Sequence, residues 1–274
     1  MSKRELVREL FEGSPKQRKF AAEDLAEYKD EETISALFRA MVEDKNRGVK
    51  EVCAESLKRI GGQSVIKGAV EALKAEDPLA KALCLDILAH FGEDSIAHLS
   101  ALLESADYNE RKYALDVLAA VGGGKAMEII LAMTKDPNPN VRYTATEYLS
   151  NLPKDPKVTQ TLKDLLQDTD DPYGISTICQ VIRSRKEVEL LPDLSDKVRH
   201  VADPFIKHWL YKAIVVLNGV DHLLDALRNA LEIGAVEDIL KDIILAKGEI
   251  PSEAKGFLQE KGIELEEQLL KEDL

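Results

Sequence analysis

The side chains with chemistry beyond packing are five histidines, three cysteines and one glycine-rich tetrapeptide. His90 and His98 stand eight residues apart, as do His200 and His208. A helix chelates a metal through side chains three or four residues apart. Neither pair has that spacing, so no metal site is expected. Cys53, Cys84 and Cys179 are odd in number and lack a Cys-x-x-Cys spacing. Cys53 and Cys84 read as small buried apolar residues, Cys179 as more accessible, in a protein kept in a reducing compartment. Gly122-Gly123-Gly124-Lys125 has the outline of a phosphate loop. It follows a helical run instead of a strand, and Ala126 stands where Ser or Thr is required, so it reads as a helix stop. No catalytic residue and no cofactor is expected.

The elements that position these residues follow from a repeat. The pattern Val141-Arg142-x-x-Ala145-x-x-x-Leu149-x-x-Leu152 recurs from Gln17, Val49, Ala80 and Glu110, and more weakly from Tyr173 and Ile206. Its small-residue slot falls at Ala21, Cys53, Cys84, Ala114, Ala145, Thr177 and Leu210, a period of about 31 residues. A fixed period of that size marks a solenoid, in which neighbouring units share one continuous core. Each unit reads as two helices. In residues 125–153, Met127, Ile130, Leu131 and Met133 form one apolar stripe, Asp136-Pro137-Asn138-Pro139 breaks it, and the Val141 pattern supplies the second helix. Asp77-Pro78, Asp171-Pro172, Asp203-Pro204 and Ser14-Pro15 repeat the punctuation of a capped helix start. Gly61, Gly92, Gly122, Gly219 and Gly248 sit at helix stops.

This pattern resembles the HEAT-repeat superfamily, and more closely the short HEAT-like repeats named after phycobilisome lyases. Asp136-Pro137, Val141-Arg142 and Ala145-x-Glu147-x-Leu149 carry the resemblance, which is strong over 14–153 and weaker over 154–250. It implies an all-α, right-handed α-solenoid of about seven or eight antiparallel helix pairs, with the second helix of each pair lining the concave face. The expected layout is one solenoid over 1–274: a cap helix in 1–13, repeats over 14–251 that diverge after 154, and a cap in 252–274. Leu265, Leu269 and Leu270 contribute to that second cap. HEAT-like iron hydroxylases carry His-Glu dipeptides, and no histidine here precedes Glu. HEAT-like alkylpurine glycosylases need a basic cleft, which the charge balance disfavours.

Two rows of charge run along the second helices. Glu23, Glu55, Asp86, Asp116 and Glu147 share one outward slot. They form either a track for a basic partner segment or the usual acid of such repeats, paired one turn away with Lys19 or Lys112. Arg18, Lys50, Lys81, Arg111, Arg142 and Lys207 lie on the flank, near Asp44, Asp77, Asp107, Asp136 and Asp203. That juxtaposition predicts an ionic ladder between neighbouring repeats, with phosphate binding as the other reading. Beyond 172 the rule breaks. Ile175, Cys179 and Ile182 take outward slots, then His208, Lys212 and Val215 beside Trp209 and Tyr211. Such a face is either an interface or covered by the chain's own end.

Fifty acidic against 37 basic residues give a formal net charge of −13. Nucleic-acid backbones need clustered Lys and Arg, so they are not expected as partners. The start Met-Ser-Lys-Arg-Glu-Leu lacks the apolar run of a signal peptide. The strongest apolar run, Ala213–Leu217, is too short to span a bilayer. The expectation is an acidic cytoplasmic scaffold or adaptor, non-catalytic, that docks a protein or peptide on the concave face. Its expected contact residues are the acidic row together with Tyr143, Ile175, Ile182, His208, Trp209, Tyr211 and Lys212. The alternative is a lyase or chaperone-like subunit that attaches a bilin chromophore to a protein.

Overall fold

The computed structural model describes residues 1–217 and 222–263. Gly219, Leu265, Leu269 and Leu270 lie outside the described residues. Among those described there are eighteen α-helices and no strand. The helices form two compact units, Met1–Thr144 and Ala145–Leu274.

In the first unit, helix pairs follow the repeat: α1 (Lys3–Glu12) with α2 (Pro15–Leu25), α3 (Glu31–Glu43) with α4 (Arg47–Ile60), and α5 (Gln63–Ala72) with α6 (Pro78–Phe91). The fourth pair departs from expectation. Its first helix is split into α7 (Glu93–Ile96) and α8 (Ser100–Leu103), ahead of α9 (Tyr108–Val121). Tight bonds from His98 N to Ser95 O and from Leu99 N to Ile96 O make the break. The buried Ser95 hydroxyl meanwhile donates to Leu88 O at 2.7 Å. Then come α10 (Gly123–Met133) and α11 (Pro139–Tyr148), the latter passing into the second unit. Gly122, with φ +68°, ends α9, so the Gly-Gly-Gly-Lys segment is a helix stop.

Second helices α2, α4, α6 and α9 pack in series, as do first helices α1, α3 and α5. Caps set their starts. Ser14 accepts from Gln17 N, Asn46 from Val49 N, Asp77 from Ala80 N and Asp107 from Asn109 N. Counted from each cap, the seventh residue is the small slot: Ala21, Cys53, Cys84 and Ala114, all buried. Leu25, Leu57, Leu88 and Leu118 follow one turn later and are fully buried. Small residues there let neighbouring helices approach while the leucines fill the space between them.

The expected ionic ladder is present in three rungs. Arg18 grips Asp44 through two bonds of 2.6 and 2.9 Å, and Arg111 grips Asp136 at 2.8 and 2.9 Å. Lys50 bonds Asp77. Each base also donates to a carbonyl of its own helix pair, at or just after the end of the first helix: Arg18 to Gly13 O, Lys50 to Val42 O and Arg111 to Ser105 O. Lys81 is different. It reaches the Tyr113 hydroxyl and lies 4.7 Å over that ring.

The second unit contains α12 (Pro156–Asp168), α13 (Pro172–Arg185), α14 (Leu191–His200), α15 (Pro204–Val216), α16 (Leu223–Ile233), α17 (Val236–Lys247) and α18 (Ser252–Glu260). Leu149 is buried at the end of α11's path. Ala254 and Leu258 of α18 close the core of Leu223, Leu227, Ile239 and Ile243. Asp171 and Asp203 cap α13 and α15. Their seventh residues are Ile178 and Leu210. The slot expected at Thr177 is therefore at Ile178, one residue later.

That shift decides the cysteines. Cys53 and Cys84 are buried as expected, but so is Cys179, against the accessible position that its outward slot predicts. Burial pushes all three thiols up to about 12. A thiol reagent at neutral pH should label none of them in the folded protein and all three in denaturant. Rapid native labelling of Cys179 would contradict this packing.

Candidate functional site

Counted from the same caps, the ninth residues of α2, α4, α6 and α9 are Glu23, Glu55, Asp86 and Asp116. The first three are exposed and Asp116 is half-buried. Glu147 of α11 is exposed as well, and Tyr143 is half-buried. Two acids of the row share a cation. Lys58 bonds Glu55 at 2.6 Å and Asp86 at 2.8 Å, bridging two helices, while Arg59 reaches Glu27 at 3.0 Å. Glu55 and Asp86 keep 67% and 58% of their side chains exposed. Such exposed pairs are worth about 0–1 kcal/mol, little enough for an incoming cation to displace.

The second unit corrects the expected apolar docking face. Ile175, Cys179 and Ile182 are fully buried in α13 and offer no surface. The one-residue shift explains it. Fifth and ninth after Asp171 are Ser176 and Gln180, so the isoleucines turn into the core between helices. His208 and Lys212 do hold the fifth and ninth positions of α15, yet both are buried. Carboxylates from α17 cover them. His208 Nε2 lies 2.9 Å from Asp238 Oδ2, and Lys212 Nζ 2.5 Å from Asp238 Oδ1. Lys212 is also 3.4 Å from Asp242, which Arg183 of α13 bonds from the other side. Trp209 and Tyr211 are half-buried, and Lys212 sits 5.5 Å over the Trp209 ring.

Within this network the two acids differ. Burial raises the Asp238 carboxyl, but hydrogen bonds from Lys212 and His208 outweigh it and hold the group below its ordinary range. Asp242 is buried more deeply. There burial wins over Arg183 and Lys212 and pushes the carboxyl up. Beside the network, Gln180, Arg183, Ser184, Lys186, Val216, Leu245 and Ala246 line an open groove of 520 Å³. Among the described residues no three His, Cys, Asp or Glu side chains gather as metal ligands.

A second buried cluster joins the start of this unit to α13. Arg185 donates to the carbonyls of Leu149, Leu152 and Pro153 at 2.7, 2.6 and 3.1 Å, and to Glu187 at 2.8 Å. Arg185 and Glu187 each expose 3% of the side chain. Lys154 and Thr159 also bond Glu187. Burial raises the Glu187 carboxyl, but these hydrogen bonds lower it further, to a net position below the ordinary range. The Arg-Lys-Glu run at a helix end, with Lys186 left-handed at φ +52°, is the one sequence trace of this cluster. Arg185→Met should cost about 3–5 kcal/mol in urea unfolding, because it strands a buried carboxylate and three carbonyls. A loss below about 1 kcal/mol would show that solvent reaches the cluster.

The model of HEAT repeats matches residues 4–89 and 96–183. The sequence matches none of the curated proteins compared with it. Among solved structures, Kap121p bound to Nup53p aligns with a TM-score of 0.54 at 12% identity, over 94% of this chain and 34% of that one. The complex of CpcE and CpcF of phycocyanin lyase from Nostoc sp. PCC7120 aligns at 0.33 and 15% identity, over 86% and 95%. Human deoxyhypusine hydroxylase with glycerol aligns at 0.32 and 15% identity, over 78% and 96%.

Proposed function

The chain belongs to the HEAT-repeat family, and from that premise we propose that it is a non-catalytic scaffold or adaptor that docks a protein partner on its second helices. One observation carries the reading. The ladder turns cations of α2, α4 and α9 inward onto Asp44, Asp77 and Asp136, while the carboxylates of Glu23, Glu55 and Asp86 stay in solvent. A basic segment laid across those helices meets a carboxylate at each repeat, and Lys58 yields to it at small cost. Kap121p, with which the chain shares its fold, is solved bound to Nup53p, which supports a protein as the kind of partner. Among the described residues no helix is long and apolar enough to cross a membrane. Three unpaired buried thiols suit a reducing compartment such as the cytoplasm.

The test compares wild type with the triple variant Glu23→Gln, Glu55→Gln, Asp86→Asn. A partner captured by the wild-type chain from native lysate should associate about tenfold more slowly with the variant, with a flatter salt dependence. Equal rates and equal salt dependence would remove the row from the interface. The lyase alternative is checked on the same protein. Incubated with a bilin, a scaffold gains no covalent visible absorbance, whereas a bound chromophore would overturn the non-catalytic reading. Ile175→Glu does not probe docking, since it places a charge in the core.

A further inference from the structure

We infer that the groove between α13, α15 and α17 is a second docking site, which takes an acidic–aliphatic peptide segment from a partner protein. The proposal stands independently of Glu23, Glu55 and Asp86, which lie in the other compact unit.

Charge makes the case first. The groove lining contains two cations, Arg183 and Lys186, and no acid. In a chain of net charge −13 that local sign is unusual. The acid that Arg183 bonds is already engaged: Asp242 keeps 8% of its side chain exposed and lies between Arg183 and Lys212. Arg183 is under-used. It gives Asp242 one fork nitrogen, and its buried Nε has no hydrogen-bond partner. Lys186 is exposed at the end of α13, where it is the left-handed C-cap residue. A carboxylate is the ligand group that suits a guanidinium and an ammonium at one helix end.

The rest of the lining sets the neighbouring group. Val216, Leu245 and Ala246 give the groove an aliphatic wall, and Leu245 keeps 64% of its surface in water. An exposed leucine gains by burial, about 25 cal/mol per Å² covered. Gln180 and Ser184 supply neutral polar groups on the opposite wall. The volume of 520 Å³ falls in the range of sites that enclose a few side chains. All three walls are helices tied together by the Arg183–Asp242 and Lys212–Asp238 pairs. The site is therefore preorganised and loses little entropy on binding. An aliphatic side chain beside an aspartate or glutamate matches both walls.

The test uses the full chain and a fluorescein-labelled peptide, Gly-Ser-Asp-Leu-Leu-Glu-Gly, in an anisotropy titration. Wild type should bind it with a Kd below about 1 mM. The amide version, with Asn and Gln for the two acids, should bind at least about tenfold more weakly. Lys186→Gln and Leu245→Asp change exposed positions and should each weaken the acidic peptide about fivefold or more. The triple variant of the acidic row should bind the peptide like wild type, which separates this site from the first. No binding at 1 mM, equal binding of the amide peptide, or unchanged affinity in both groove variants would overturn the proposal.

Discussion

The bidentate grip of an arginine on the aspartate of the next helix pair is the interaction on which the first unit depends. Arg18 with Asp44 and Arg111 with Asp136 are largely removed from water. A charge in that position costs several kcal/mol unless its partner and its remaining donors are all satisfied. The guanidinium meets this demand by splitting its fork: two N–H groups go to the next pair's carboxylate, another to a carbonyl of its own loop. Neither the loop nor the neighbour can shift by one residue without breaking the set. The rung thus fixes the register in which Ala21 meets α4 and Leu118 meets its neighbours. Apolar burial supplies most of the stabilisation, and the ladder ties neighbouring pairs in one register.

The same interaction divides the surface. Cations that point inward are withdrawn from the exposed face, so the second helices of the first unit show carboxylates. In the second unit the roles are redistributed. Arg185 caps the carbonyls after α11 and pairs with Glu187, while Arg183 and Lys212 hold the acids of α17. There Arg185, Glu187, Lys212 and Asp242 are buried, and Lys186 at the end of α13 is exposed. The carboxylate row on the second helices of the first unit and the groove lining with Arg183 and Lys186 in the second therefore differ in local sign.

Most of the architecture was legible in the sequence because periodicity and caps are local. The Asp-Pro and Ser-Pro pairs start helices where expected, and Cys53 and Cys84 fill the alanine slot. The failure at α13 has a simple cause. Gly174 and Thr177 resemble the repeat poorly, and aligning them slipped the helix by one residue. One residue turns a side chain by about 100°, enough to exchange surface for core. The cap at Asp171 held the right register, since its carboxylate accepts from Gly174 N at 2.6 Å. The groove was not legible at all. Arg183 and Asp242 are 59 residues apart, and no short pattern links them. Likewise, Lys58 between Glu55 and Asp86 becomes visible only when two helices are set side by side.

The most direct test of this account is a double-mutant cycle on one rung, Arg111→Met with Asp136→Asn, followed by urea unfolding. Asn at 136 keeps the oxygen that accepts from Asn138 N, so the cycle isolates the ion pair. If the rung joins neighbouring repeats as described, the two substitutions couple by about 1–3 kcal/mol. Additivity within about 0.3 kcal/mol would contradict it and leave the register to apolar packing alone.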